Sequence, residues 1–319
     1  MKKSLLAIFV TSVFILSACD DQQLSQKLTD AEQKITQLET ELKAVQSELA
    51  EKNSSKVENS QDVFPALNVE ITELFNKSEN LKFKPDSEDE FARNESQIEL
   101  FATTANTNVE WLNSLLLKEI INHYSDEDQD LGDKIITTEN VTNMFSSMYE
   151  NFVNDAKDSR PIGLSEIEMT NYLSQRGNIV TFTQSYDSYT GGAHGMNYTR
   201  YLNIDVNKKA VIQLDDLIDP SKQEELKNIL WQDYVSENTD ESGQVSTFMT
   251  DKNEFELSSD FYFTENGINF VYPVYVLGPF AEGPIELHAY FSDINALLKP
   301  DYQRTKKDGF NIYPNSIFF

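Results

Sequence analysis

The chain has 319 residues, enough for one large domain or two smaller ones. Its 39% hydrophobic content, with 20 Phe and 14 Tyr, supplies a core and excludes a wholly disordered chain. With 53 acidic against 26 basic residues the net charge is −27, which repels nucleic acid and anionic headgroups and attracts cationic proteins and metal ions; solubility alone also accounts for it.

Lys2 and Lys3 precede a short apolar run, residues 5–16, too short to span a bilayer comfortably. Leu16-Ser17-Ala18-Cys19 resembles a bacterial lipobox. That resemblance implies a signal peptide at 1–18 and acylation of Cys19. The protein is then expected in the cell envelope, lipid-anchored to a membrane and facing the extracytoplasmic space. Cys19 is the only cysteine, which excludes disulfides within the chain and cysteine-based zinc sites.

Apolar residues recur at Leu24, Leu28, Ala31, Ile35, Leu38, Leu42, Val45 and Leu49, with spacings alternating four and three. This is a heptad seam with Lys27 and Lys34 at g and Glu32 and Glu39 at the following e positions. Residues 19–52 are read as the lipidated Cys and a coiled-coil stalk, able to make a homo-oligomer or to lie on its own domain as a lone amphipathic helix. Residues 53–62 are polar and read as a linker.

The expected head is α+β, with antiparallel sheets and segregated helices. Its N-terminal part is placed at 63–131 and its C-terminal domain at 132–319. In the first part Leu67, Val69 and Ile71, then Leu81 and Phe83, then Ile98, Leu100 and Ala102 alternate as strands. Val109, Leu112, Leu115, Leu116 and Ile120 predict a helix over 108–124, capped by Thr107 or Asn108. His123, near its end, suits the helix dipole as a cation and is read as structural or solvated. The acidic run 125–130 lacks the Gly and terminal Glu of an EF-hand loop and reads as a solvated loop.

In the second part Val141, Met144, Phe145, Met148 and Phe152 mark one face of a helix over 140–157. Residues 166–174 alternate through Ile167, Met169 and Leu173, and Gln175-Arg176-Gly177-Asn178 turns that strand into the next. Strands over 178–185 and 199–206 then flank a glycine-rich connection containing Tyr189, Thr190, Gly191, Gly192, His194, Gly195 and Tyr198. Three glycines in five residues call for positive φ or close backbone approach. Beyond it the pattern predicts a turn at 207–209, a strand over 211–214 and a helix over 220–234 opened by Asp219-Pro220. Strands over 261–263 and 268–276 flank Glu265-Asn266-Gly267, followed by a strand over 284–290 containing a structural His288 and a helix over 294–298 capped by Ser292 or Asp293.

No catalytic constellation is present: no G-x-S-x-G, P-loop or dinucleotide fingerprint. Three His and one Cys argue against metal hydrolysis, and with 53 acidic residues a carboxylate pair discriminates nothing. The expectation is a protein that is not an enzyme, with no cofactor and no metal. The glycine-rich connection is either a tight turn whose His caps a backbone group or a protruding loop that enters a partner's groove.

Tyr189-Thr190-Gly191-Gly192-Ala193-His194-Gly195, then Asn203-Ile204-Asp205, then Leu214-Asp215-Asp216-Leu217-Ile218 resemble the C-terminal domain of the RsiV anti-sigma factor family. A second motif of that family is resembled by Tyr275, Gly278-Pro279-Phe280-Ala281 and Gly283. The resemblance spans roughly 165–302. It implies an extracellular domain that binds lysozyme, and a similar domain stands beside cell-wall polysaccharide deacetylases. Partner-binding roles fall on Tyr189, Thr190, Gly191, Gly192, His194, Gly195 and Tyr198, with a cationic lysozyme-type protein or peptidoglycan as partner. A structural envelope lipoprotein, and an accessory to or enzyme of peptidoglycan modification, are the alternatives.

Overall fold

The computed structural model describes residues 64–85, 93–125, 131–132 and 134–305, together with Lys34. The expected signal peptide, Cys19, coiled coil, linker and most of the 125–130 run lie outside the described residues.

Two sheets organise the head. Strands β1 (Val69–Lys82), β2 (Glu95–Thr107), β3 (Gly163–Arg176), β4 (Ile179–Tyr189), β5 (Met196–Asp205) and β6 (Ala210–Val211) lie in sequence order in a six-stranded sheet. All its neighbours are antiparallel except β2 and β3, which pair in parallel with Gln97 opposite Gly163 and Thr103 opposite Met169. A parallel pair needs a crossover. Helices α1 (Glu110–Tyr124) and α2 (Thr138–Ser159) provide it. The two parts expected from the sequence therefore share one sheet, and the described residues from 64 onward form one compact unit.

The helices cover one face of this sheet. Leu112 and Leu116 of α1 pack with Val180, Phe182, Leu202 and Ile204. Val141 and Phe145 of α2 pack with Phe75, Ile98 and Leu100. Burying each such side chain stabilises by about 1.5–3 kcal/mol. The expected cap of α1 moves by a residue: Val109 is the N-cap, and the Thr107 hydroxyl instead accepts the Val109 N–H at 3.1 Å. The start of α2 is fixed by Thr137 and Asn140, which satisfy each other's orphan backbone groups in a capping box.

The period of β3 is as expected, but its phase is inverted. Ile167 is half-buried, and Met169 and Leu173 are exposed. The face turned to the helices carries Glu166, Glu168 and Thr170, all buried.

The second sheet has three antiparallel strands, β7 (Phe261–Phe263), β8 (Gly267–Tyr272) and β9 (Ile285–Tyr290). It packs on α4 (Pro220–Glu237) through Leu226, Leu230 and Tyr234, around Phe255, Phe270 and Phe291. The expected strand over 211–214 is cut to β6, because residues 214–217 coil into a short α3 (Leu214–Leu217) with a Gln213–Asp216 capping box. The strand expected to reach Val276 stops at Tyr272, before Pro273, and residues 273–279 turn instead. The last helix, α5 (Phe291–Ile294), begins three residues early, capped by Tyr290 rather than by Ser292 or Asp293. No helix among the described residues is long and apolar enough to cross a membrane.

Candidate functional site

The glycine-rich connection joins β4 and β5 as a loop of residues 190–195, with Ser188 opposite Met196 in the register below it. Its three glycines differ in physical role. Gly191 has φ +88°, and a Cβ there would stand 2.8 Å from the Pro161 Cβ. Gly195 has an ordinary φ, but a Cβ would meet the Ser188 carbonyl oxygen at 2.9 Å. Gly192 needs neither, since it faces open space with only the His194 carbonyl within 4 Å. The expectation that all three require positive φ or close approach therefore holds for two of them.

The loop is held from inside and braced from outside. The Tyr189 hydroxyl donates to the Gly192 carbonyl at 2.8 Å. His194 Nδ1 stands 2.8 Å from the Gly195 carbonyl, which can only accept, so Nδ1 carries a hydrogen. The ring stacks on Phe280 with centroids 4.3 Å apart and planes 29° from parallel. Its Nε2 is 3.4 Å from the Tyr275 hydroxyl. Tyr275 is half exposed and has φ +70°, a left-handed conformation costly for an aromatic residue. Thr190, Gly192 and His194 are exposed. Tyr189, Thr190, Gly191, Gly192, His194 and Gly195 thus lie together in one connection with an exposed tip, in which His194 bonds a backbone carbonyl as the tight-turn reading expected.

Tyr198 does not belong to it. It sits within β5, half-buried, donates its hydroxyl to the Asp260 carboxylate and stacks toward Tyr186 at 6.4 Å. Asp260 also accepts the Tyr201 N–H at 3.2 Å, which fastens the second sheet to the first.

Below the loop the inverted phase of β3 creates a polar cluster that the sequence reading missed. A cavity of about 370 Å³ is lined by His123, Tyr124, Glu166, Tyr186, Asn197 and Tyr198, among others. Tyr124 donates to Glu166 at 2.8 Å, and Ser188 also bonds that carboxyl. Burial raises the Glu166 pKa. Glu168 is fully buried, one carboxyl oxygen has no hydrogen-bond partner, and burial pushes its pKa up to about 9. Arg200 reaches this cluster from β5, but its guanidinium is committed to Glu119 at 3.0 Å. His123 stacks on Tyr186 at 3.5 Å; burial, with Arg200 nearby, lowers its pKa to about 4. It is therefore neutral at physiological pH and packed against Tyr186, in line with the structural reading of it, and places no charge at the helix end. The available signal was Glu166-x-Glu168-x-Thr170 at strand spacing, mirrored by Gln184 and Tyr186 on β4.

His288, as expected, serves the fold: its N–H donates to Asp233 at 2.8 Å and its Nδ1 bonds Asn269. Among the described residues no three His, Cys, Asp or Glu side chains converge as a metal site.

Comparison with known proteins fits this architecture. The family model described as "Protein of unknown function (DUF3298)" matches residues 215–309, so the C-terminal part carries a DUF3298 domain. RsiV-like domains belong to this fold family. The matched span contains Tyr275 and Phe280 but not the 190–195 loop. Among solved structures, a DUF3298 family member from Bacteroides fragilis is similar at 19% identity and a TM-score of 0.51, covering 76% of this chain and 96% of its own. A DUF3298 family protein from Pseudomonas aeruginosa is similar at 18% identity and a TM-score of 0.52, covering 76% and 98%. These likenesses establish the fold. No curated protein matches the chain.

Proposed function

We propose that the protein is an extracytoplasmic binding module, anchored to a membrane through Cys19 and raised on a coiled-coil stalk, whose head binds a cationic lysozyme-type protein. It carries out no chemistry of its own. The observation that carries this reading is the braced loop. Gly192 faces open space at its tip, and His194 is exposed yet held by Phe280 and Tyr275. A loop fixed before binding loses little conformational freedom on entering a cleft. Nδ1 is committed to the Gly195 carbonyl and Nε2 faces the Tyr275 hydroxyl at 3.4 Å, so a partner group reaches this ring by sharing or displacing that longer contact. A hydrogen bond between the loop and a charged partner group is worth roughly 1.5–3 kcal/mol.

The net charge of −27 supports the cationic partner by a separate route. Long-range attraction speeds encounter and is screened by salt, whereas shape at the loop sets the lifetime. Surface kinetics with full-length protein and immobilised lysozyme separate the two. Raising salt slows association with little change in dissociation, while His194→Ala speeds dissociation. Absence of binding at every salt concentration rejects the reading.

A further inference from the structure

We propose that the cavity at the root of the loop is a receptor for one basic side chain, guanidinium or ammonium, of the protein that the loop engages. This rests on the binding reading above and names the chemistry that a partner must present.

The walls are aromatic. His123, Tyr186 and Tyr198 form a run of near-parallel rings, with centroid steps of 3.5 Å and 6.4 Å. Tyr124 meets Tyr186 edge-on at 5.9 Å. Ring faces attract cations, more strongly where water is displaced. The floor is a carboxyl, Glu166, only 7% exposed and held by Tyr124. Behind it on the same strand face stands Glu168, with a carboxyl oxygen that lacks a partner. The cation that reaches Glu168 is Arg200, already paired with Glu119. Glu166 is thus the carboxyl that lines the opening, with no cation paired to it among the described residues, while Glu168 stands behind it outside the lining. A buried carboxyl gains most from a cation that arrives with hydrogen-bond donors.

The volume of about 370 Å³ accommodates the end of an Arg or Lys side chain, though not a folded element. Ser188 and Met196, the register pair directly beneath the loop, also line it. A partner gripping the loop therefore brings its own surface over the opening. The negative field of the chain opposes anionic wall polymers and favours basic residues.

The test titrates full-length protein with N-acetyl-argininamide, its neutral near-isostere N-acetyl-citrullinamide, and N-acetylglucosamine, following tyrosine ring resonances by NMR. The arginine probe is expected to saturate and to shift Tyr124, Tyr186 and Tyr198, with the citrulline probe at least about tenfold weaker. Glu166→Gln should weaken the arginine probe by a similar factor. Asn197→Trp, at an exposed position on the rim, should block it without touching the buried network, so the test survives if Glu166→Gln fails to fold. Equal binding of the citrulline probe, preferential binding of the sugar, or no saturation by the arginine probe each overturns the proposal. Lysozyme binding without arginine-probe binding rejects the receptor and leaves the loop reading standing. Arginine-probe binding without lysozyme binding does the reverse.

Discussion

His194 lies over Phe280 with ring centroids 4.3 Å apart, although the two residues belong to different sheets' connections. The pair joins the two motifs that carry the family resemblance. One supplies the loop, and the other supplies a platform of Phe280 and Tyr275 that fixes its ring. Tyr275, whose hydroxyl stands 3.4 Å from Nε2, also has a left-handed φ of +70°.

Tyr275→Gly separates those two roles. Relief of the left-handed conformation should leave unfolding free energy unchanged or raise it by up to about 1 kcal/mol. Partner dissociation should nevertheless become faster, because the His194 ring loses a brace. Denaturant melts and surface kinetics on the same preparation read both effects.

The glycines of the loop are not equivalent. Gly191→Ala puts a Cβ 2.8 Å from Pro161 at φ +88° and should destabilise by about 1–3 kcal/mol. Gly192→Ala should be neutral within about 0.5 kcal/mol, since nothing opposes its Cβ. Urea unfolding of the two variants checks the order.

Tyr234 is fully buried on α4 and serves two backbone groups at once. Its hydroxyl donates to the Leu277 carbonyl at 2.8 Å and accepts the Met249 N–H at 3.0 Å. Tyr234→Phe keeps the ring but strands both groups. A loss of about 1–3 kcal/mol is expected in chemical denaturation.

The buried Glu168 makes stability depend on pH in a defined direction. Its folded pKa of about 9 lies above the usual carboxylate range, so the folded state holds a proton that the unfolded chain releases. The associated stability is fully present below the unfolded pKa and is lost as pH rises through about 9. Glu166 and Asp260, also raised by burial, act in the same sense. His123, lowered to about 4, acts oppositely, but only below its unfolded value of about 6.5. Between pH 7 and 9 Glu168 dominates. The melting temperature should fall over that interval, and Glu168→Gln, a neutral isostere, should flatten the fall.

Much of the fold was legible because periodicity is local. The α2 face, the β4–β5 hairpin and the Asp219-Pro220 helix start follow from residues within a few positions of one another. What was not legible depends on distant partners. The phase of β3 is set by which face the helices cover. There Tyr124 and Gln184 supply hydrogen bonds to Glu166 and Thr170 across 42 and 14 residues. Burying Glu166 and Glu168 while exposing Met169 reverses the hydrophobic rule that sequence reading relies on. The loop tip was legible as a feature. Its brace was not, since Phe280 and Tyr275 arrive from another sheet. Tyr198 was grouped with the loop by proximity in sequence, yet the register of β5 turns it into the cavity wall.

The central claim is that the exposed tip of the 190–195 loop enters a cleft of a cationic lysozyme-type protein. Isothermal calorimetry of full-length protein with lysozyme at moderate salt, compared with Gly192→Trp, tests it most directly. A Cβ at 192 meets nothing closer than the His194 carbonyl at 3.9 Å, and a melt of the variant beside wild type checks that the fold is kept. The account predicts saturable binding by wild type and its loss in Gly192→Trp. No saturable binding by wild type, or equal affinity in the variant, contradicts it.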